Sequence, residues 1–374
     1  MSLKRSLVES AIRIIASCGP AKGEATNPQS VFVLRNNDIG DLLVVTPLFE
    51  ALKKRFPEAR IAAGVGEWNR PVLENNPHLH EILTVNAPWH NKQCGRFARN
   101  SLRGLWDSVR YIYSSSEVGA IRSRRFDVGI DVLGSPEGSL LLMRAGIPYR
   151  LGVRGYAGGH SAAQACVSFN SDEHVGRSAL RFAELLGARE LPEYRPQIYL
   201  TSAELEAAEA RWQAGVTVPG RRVVIGPGAG FVEKCWPLDR YIELAGLLRK
   251  QGGYDMAVVG SASDKSAGAA LARIPSVRSF AGLLGLRETF AMVAQADLVI
   301  CNSSMLMHVA AAFSKPALVL LGEWYPSARG QARQWGDYPR CRVFGKGEGR
   351  SEIYSVAEAL DALRDSNFAC EINF

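Results

Sequence analysis

The sequence lacks several features that would assign it to a special class of protein. It contains no stretch of 18 apolar residues, so we expect no segment that spans a bilayer. The seven cysteines are odd in number and no two have CxxC spacing, which argues against a disulfide framework and a zinc ribbon. Glycine and proline are scattered and not periodic, which excludes a collagen-like fibre. A reducing compartment, the cytoplasm, fits this pattern best.

Acidic residues are also in the minority. The chain has 37 Asp and Glu against 44 Lys and Arg, so its formal net charge is +7. A basic surplus suits anionic partners such as nucleotide phosphates, lipid head groups or nucleic acid. The 374 residues are 47% hydrophobic and 22% charged, which is an ordinary globular composition. The length predicts two domains.

Short apolar runs alternate with helical segments through most of the chain. Those of the amino-terminal half lie at 31–34, 61–63, 82–83, 128–130 and 151–153. Those of the carboxyl-terminal half lie at 223–225, 256–260, 298–301 and 317–320. Apolar strands between helices are typical of a parallel sheet that is covered on both faces. The sequence therefore predicts an α/β protein built from two such halves.

Prolines and polar residues interrupt this pattern between about 188 and 221, and they mark the connection between the halves. We predict five segments along the chain. They are an amphipathic amino-terminal extension at 1–30, a first α/β domain at 31–190, a linker region at 191–220, a second α/β domain at 221–350 and a carboxyl-terminal helix at 351–374.

Two segments combine a basic and an apolar face. One is the extension at 1–30, and the other is an insert at 90–125 with eight basic residues and two acidic ones. In the insert, Leu105, Trp106 and Val109 recur at helical spacing beside the basic residues. The extension is either a helix packed on the body of the protein or one that rests on a membrane surface. The insert is either a solvated surface helix or a surface for an anionic lipid or glycolipid acceptor.

The first motif that could carry chemistry follows the apolar run at 31–34. Residues 36–41 read Asn-Asn-Asp-Ile-Gly-Asp and lead into a helix. Gly40 permits a tight turn, and the carboxyl ends of parallel strands border the ligand crevice of such sheets. Asp41 is therefore either a helix cap or a general base that faces a cleft.

Two further motifs follow strands of the second half. Gly226-Pro-Gly-Ala-Gly230 precedes Lys234, but Phe231 stands where a dinucleotide fingerprint requires glycine. A flexible loop before a helix, with one lysine nearby, still suits a diphosphate. In the third motif, at 302–308, Ser303 and Ser304 either cap the next helix or bind phosphate oxygens and sugar hydroxyls together with His308.

These three motifs, in this order, resemble the signatures of the ADP-heptose:lipopolysaccharide heptosyltransferase family, which are GT-B glycosyltransferases of family nine. The resemblance extends over about residues 30–340. It implies a GT-B fold, in which two Rossmann-like, doubly wound domains face each other across a cleft and the carboxyl-terminal helix returns to the first domain. It also implies inverting, metal-independent transfer of heptose or another sugar from a nucleotide diphosphate, with no cofactor.

The resemblance also implies residue roles and partners. The catalytic base falls on Asp41, in a loop with Asp38 and Gly40. The residues that bind the sugar donor are Gly228, Ala229, Lys234, Asp264, Ser303, Ser304 and His308. The implied partners are a nucleotide-diphosphate sugar, with ADP favoured, and a lipid-linked or lipopolysaccharide-type glycan acceptor, without nucleic acid. The basic segments predict a cytoplasmic protein that is peripheral on the anionic surface of the inner membrane.

One departure from the family pattern concerns the third motif. Ser303 and Met305 stand where the family usually has Asp and Gly. This difference predicts another donor sugar or weaker donor binding. It also leaves an alternative function open, namely a non-catalytic protein of the same fold that binds a nucleotide sugar or a glycolipid.

Overall fold

The computed structural model describes residues 27–89, 102–215 and 220–365, together with 9–10, 12–14 and 16. The chain divides into two compact units, Met1–Tyr194 and Arg195–Phe374. Most of the predicted amino-terminal extension, residues 90–101 of the basic insert and residues 366–374 lie outside the described residues. In the part that is described, no helix has both the length and the hydropathy needed to cross a bilayer.

The first unit is built on a six-stranded sheet with the order β3-β2-β1-β4-β5-β6. All neighbouring strands pair in parallel. The strands are β1 Ser30–Leu34, β2 Arg60–Val65, β3 Glu81–Thr84, β4 Val128–Asp131, β5 Tyr149–Arg154 and β6 Ala165–Ser168. The helices are α1 Ile39–Leu43, α2 Pro47–Arg55, α3 Leu102–Ser114, α4 Ser116–Ser123, α5 Pro136–Arg144 and α6 Val175–Leu185.

Proline shapes the helical segment that follows β1. The sequence predicts one helical stretch to Arg55, whereas the structure has α1 and α2 separated by residues 44–46. Pro47 occupies the start of α2. A proline has no N–H to donate, so it is tolerated in the first turn of a helix but not in the interior. The break ends α1 shortly after Asp41.

The second unit repeats this architecture with the order β12-β11-β10-β7-β8-β9, again all parallel. Its strands are β7 Arg221–Gly226, β8 Tyr254–Val258, β9 Val277–Ser279, β10 Leu298–Cys301, β11 Ala317–Leu320 and β12 Cys341–Phe344. Its helices are α7 Ser202–Gln213, α8 Leu238–Gln251, α9 Lys265–Leu271, α10 Leu286–Ala294, α11 Met305–Ala312, α12 Ala328–Gln331 and α13 Val356–Arg364.

The strand orders of both units reduce to the same pattern, 3-2-1-4-5-6, which is the Rossmann order. The α/β class and the two doubly wound halves are thereby confirmed. In this topology the connections leave the sheet in opposite directions at the pair of strands 1 and 4, and ligands bind outside the carboxyl ends there. Those pairs are β1 with β4 and β7 with β10, and all three sequence motifs follow one of these strands.

Two helices at the borders of the second unit pack against its core. Helix α7, inside the predicted linker, begins with a capping box at Thr201. It buries Trp212, whose indole N–H donates to the Met292 carbonyl at 3.2 Å. Helix α13 buries Val356 and Leu363 in the core cluster that also contains α8 side chains. The return of the carboxyl-terminal segment to the first domain stays a prediction.

Candidate active site

Asp41 lies in the first turn of α1, with Asp38 at the N-cap position. The interpretation of Asp41 as the cap of this helix is therefore wrong, because the cap position belongs to another residue. The guanidinium of Arg35 lies 4.0 Å from the Asp41 carboxylate, and Arg35 Nε donates to the Asp41 carbonyl at 3.2 Å. The Asp41 side chain is 27% exposed and that of Arg35 is 6% exposed. A buried cation thus holds a carboxylate that solvent and ligands can reach.

The loop that carries this carboxylate is fixed by the neighbouring strand connection. The Asn37 carbonyl accepts hydrogen bonds from Trp68 Nε1 at 2.9 Å and from Asn69 Nδ2 at 3.0 Å. Trp68 and Asn69 follow β2, which pairs with β1. The turn before α1 is therefore held by the adjacent loop, which orients Gly40 and Asp41.

Asp131, which was not predicted as a site residue, is a second carboxylate near Arg35. It ends β4 opposite Leu34 of β1 and is almost completely buried. Its carboxylate accepts from the backbone N–H of Leu133 and Ser135 at 3.2 and 2.8 Å. Burial raises the pKa of Asp131 to about 7. The hydrogen bonds from backbone N–H groups and the charge of Arg35 act in the opposite direction, but their effect is smaller. The signal in the sequence was an aspartate directly after the apolar run 128–130.

Asn302 joins the second and third motifs. Its buried Oδ1 accepts hydrogen bonds from Trp236 N at 2.8 Å and from the Tyr241 hydroxyl at 3.0 Å. Its Nδ2 donates to the carbonyls of Pro227 at 2.7 Å and Gly228 at 3.3 Å. One buried amide thus fixes the glycine loop after β7 to the end of β10.

Asp264 lies directly against this glycine loop. A Cβ placed on Gly228 would be 2.3 Å from Asp264 Oδ1, so only glycine permits this approach. The other carboxylate oxygen accepts from the backbone N–H and the hydroxyl of Ser261, both at 2.7 Å. Burial raises the pKa of the Cys235 thiol in the same loop, while the Ala229 backbone N–H acts to lower it. The structure therefore brings together three predicted donor-binding residues, Gly228, Ala229 and Asp264.

Lys234 lies among aromatic rings. Its ammonium is 4.7 Å from the ring centroids of Phe231 and Trp324 and 5.8 Å from that of Tyr325. A cation over an aromatic face is attracted by the ring quadrupole. Trp324 and Tyr325 were not predicted as site residues, because they follow β11 and are distant from Lys234 in the sequence.

Ser303 and Ser304 lie between the end of β10 and the start of α11. Ser304 is the N-cap residue of α11, and its side chain makes no capping hydrogen bond. The Ser303 hydroxyl accepts from Gln331 Nε2 at 2.8 Å, and its carbonyl accepts from the Tyr325 hydroxyl at 3.4 Å. The first turn of α11 therefore retains backbone N–H groups of the kind that bind phosphate oxygens.

His308 lies one turn further along α11 and is buried. Its Nδ1 is 2.8 Å from the Tyr338 hydroxyl. Its ring packs edge-on against Trp335 and Tyr338. Its predicted contact with the sugar donor stays a prediction. Among residues 27–89, 102–215 and 220–365, no three His, Cys, Asp or Glu side chains gather as a metal site.

Comparison with protein families gives one model, glycosyltransferase family 9 (heptosyltransferase), which matches residues 118–336. Lipopolysaccharide heptosyltransferase 2 of Salmonella typhimurium is 27% identical over 311 residues, which cover 79% of this chain and 83% of that protein. Lipopolysaccharide heptosyltransferase 3 of Escherichia coli is 24% identical, over 87% of this chain and 93% of that protein.

Solved structures support the same fold. The E. coli ADP-heptose lipopolysaccharide heptosyltransferase II has a TM-score of 0.69 at 24% identity and covers 89% of this chain and 98% of that chain. A family 9 glycosyltransferase from Veillonella parvula has a TM-score of 0.74 at 18% identity and covers 91% of this chain and 97% of that chain. At these identities the structures inform on fold alone.

Proposed function

Since the chain belongs to glycosyltransferase family 9, we propose that this glycosyltransferase moves heptose from ADP-heptose to the core of a lipopolysaccharide. Its relatives are named lipopolysaccharide heptosyltransferases, and a solved structure of the same fold is described as using ADP-heptose. The observation that supports catalysis most directly is the accessible carboxylate of Asp41, held by Arg35 at the β1/β4 switch point. Neither a metal ion nor a cofactor is part of the proposal.

In the proposed reaction the second unit binds the sugar donor. The Asp264 carboxylate, beside Gly228 and Ala229, hydrogen-bonds the ribose hydroxyls. The diphosphate lies near Lys234 and the amino terminus of α11 at Ser304. The ammonium and the aligned backbone N–H groups stabilise the charge that develops on the leaving diphosphate. They perform the task that a metal ion performs in other transferases.

Asp41 is the proposed general base. An acceptor hydroxyl attacks the anomeric carbon on the face opposite the diphosphate, so the new C–O bond forms as the bond to the diphosphate breaks. The hydroxyl proton passes to the Asp41 carboxylate, and the configuration at the anomeric carbon inverts. The proposal assigns Asp38 and Gly40 to the loop that positions the acceptor.

The proposal includes peripheral contact with the anionic inner membrane, on its cytoplasmic side. Support comes from α3, where Trp106 is 67% exposed and Leu105, Val109 and Tyr113 are also exposed. These side chains form one stripe, and the next residues around the helix include the exposed Arg110. An apolar stripe beside a basic edge suits the boundary between acyl chains and anionic head groups.

Two measurements test the proposed function. First, the melting temperature is recorded with ADP-, GDP-, UDP- and TDP-sugars, and ADP-heptose is expected to raise it most because bound ligand stabilises the folded state. Second, mass spectrometry follows a lipopolysaccharide with a truncated core, which should gain one heptose. Donor binding without transfer to any acceptor extract would instead support the non-catalytic alternative, which Ser303 and Met305 motivate.

A further inference from the structure

A surface of aromatic rings beside Lys234 has no role in the reaction described so far. Phe231 and Trp324 pack edge to face, with ring centroids 5.4 Å apart. Trp324 packs in the same way on Tyr325, at 5.0 Å. Tyr325 is buried, but Phe231 is 41% and Trp324 is 53% exposed. Two large rings at a polar ligand site therefore retain uncovered apolar area.

The backbone fixes this surface in place. The Trp324 N–H donates to the Glu233 carbonyl at 3.0 Å, and the Gly322 N–H donates to the Lys234 carbonyl at 3.2 Å. A Cβ on Gly322 would lie 2.3 Å from the Cys235 carbonyl oxygen, so glycine is required for this close pairing. The loop after β11 and the loop after β7 thus form one unit, and a ligand would meet the rings already arranged.

Strand order defines which part of a nucleotide sugar would meet the rings. Across the sheet, the loops after β8, β7, β10 and β11 carry Asp264, Lys234, Ser303 and Trp324 in that order. A nucleotide sugar has the linear order base, ribose, diphosphate and sugar. With ribose at Asp264 and diphosphate at Lys234 and Ser303, the sugar extends toward the loop after β11.

We propose that Trp324, braced by Phe231, is the platform for the transferred sugar and determines which sugar is accepted. This inference rests on the proposed function. One face of a pyranose presents mainly C–H groups, and these pack on an electron-rich indole face, while the ring hydroxyls point outward to polar partners. Lys234, which contacts the same rings, then binds the adjacent phosphate. Lys234 and Trp324 therefore contact the phosphate and the sugar from one cluster of side chains.

Isothermal titration of the full chain with ADP and with ADP-heptose, without acceptor, tests the proposal. Trp324→Ala is expected to raise the Kd of ADP-heptose about tenfold, because the apolar face of the sugar loses its covering surface. The Kd of ADP should change less than about twofold, because the cation–π contact with Lys234 is weak at an exposed site. Trp324→Phe should restore part of the ADP-heptose affinity.

The matched control is Phe169→Ala, which removes one ring of an exposed aromatic pair with Tyr156 in the first unit. It should leave both Kd values unchanged. Equal weakening of ADP and ADP-heptose by Trp324→Ala would overturn the proposal, and so would no weakening of either. If the unmodified protein binds ADP-heptose no more tightly than ADP, the assignment of ADP-heptose as the donor fails, and the proposed function fails before the platform is tested. The Kd values of ADP and of the nucleotide sugar that does bind are then compared between the unmodified protein and Trp324→Ala.

Discussion

At the scale of single residues, burial gives two carboxylates near Arg35 different properties. Asp41 is partly exposed and lies at the start of α1, whereas Asp131 is buried at the end of β4. Exposure permits Asp41 to meet a substrate hydroxyl. Burial disfavours the charged form of Asp131 and raises its pKa. A ligand can therefore reach the carboxylate of Asp41, whereas that of Asp131 accepts hydrogen bonds from the backbone of its own loop.

Asp41→Asn tests the general base. The amide cannot accept the hydroxyl proton, so the transfer rate should fall about 10²–10⁴-fold, while the melting temperature stays near that of the unmodified protein. The rate is measured with labelled ADP-heptose at saturating acceptor. Glu50→Gln, which removes the charge of a partly buried glutamate paired with the exposed Lys54 on α2, serves as the control and should retain the full rate. A folded Asp41→Asn protein with normal turnover would exclude Asp41 as the base.

Asp131 predicts a defined pH dependence of stability. Its folded pKa of about 7 lies above the unfolded value near 3.9. At a pH between these two pKa values the folded state binds more protons than the unfolded state, so the free energy of unfolding falls as pH rises. The loss from pH 5 to pH 7 is about 2–3 kcal/mol, and it is complete above the folded pKa.

The non-titrating variant Asp131→Asn isolates this effect. Its altered hydrogen bonds cause a constant offset, but its melting temperature relative to the unmodified protein should rise with pH. For a unit of this size the gap should change by roughly 5–10 °C between pH 5 and pH 7.5. The melting temperatures of both proteins are compared in matched buffers. A gap that does not change with pH would contradict the raised pKa.

At the scale of elements, the site is made of loops that follow parallel strands, and buried polar groups hold these loops together. Apolar runs made the strands of the sheet interior predictable, because such strands are buried on both faces. The short edge strands β6, β9 and β12 were missed, since three or four residues are too few to give a periodic signal. The break at Pro47 was missed because the apolar pattern continues through it.

Asn302→Ala tests whether one amide fixes the loops after β7 and β10. Removing it leaves buried groups of Trp236, Tyr241 and Pro227 without a partner. Each such group costs about 1–3 kcal/mol, so the free energy of unfolding should fall by about 3 kcal/mol or more. ADP should also bind at least about tenfold more weakly, since the glycine loop loses its anchor.

Chemical denaturation and titration with ADP measure these two effects. The control is Gln213→Ala, which removes an exposed amide on α7 that bonds only at the surface with Glu209. It should alter stability by less than about 0.5 kcal/mol. An Asn302→Ala protein with normal stability and normal ADP affinity would contradict the anchoring role.

At the scale of the whole molecule, a basic chain presents an exposed apolar stripe on α3. The predicted insert at 90–125 contains this helix, although residues 90–101 lie outside the described part. In the structure Ile112 of α3 is buried and Trp106 is exposed, so one face packs on the first unit while another remains uncovered. The packing of one face is consistent with the surface helix, one alternative for this segment, whereas its contact with an anionic lipid or glycolipid stays a prediction.

Trp106→Ser tests membrane contact. Sedimentation with vesicles of phosphatidylethanolamine and phosphatidylglycerol should show about tenfold weaker binding, because an interfacial indole loses its buried area. Raising the salt concentration should weaken binding of the unmodified protein, because salt screens the basic residues. Leu283→Ser, which removes an exposed apolar side chain of the second unit, should bind normally. Equal binding by all three proteins would exclude α3 as the contact.

The sequence by itself determined the α/β class, the two halves and the three motifs. These depend on local patterns: apolar runs that form buried strands, and glycine, proline and polar residues that follow them. Only the tertiary structure decided that Asp131 lies near Arg35, that Asn302 holds Gly228, and that Trp324 meets Lys234. Each of these contacts joins loops whose proximity depends on strand order and register, and hydrophobic patterning sets which residues are buried without specifying which loops become neighbours.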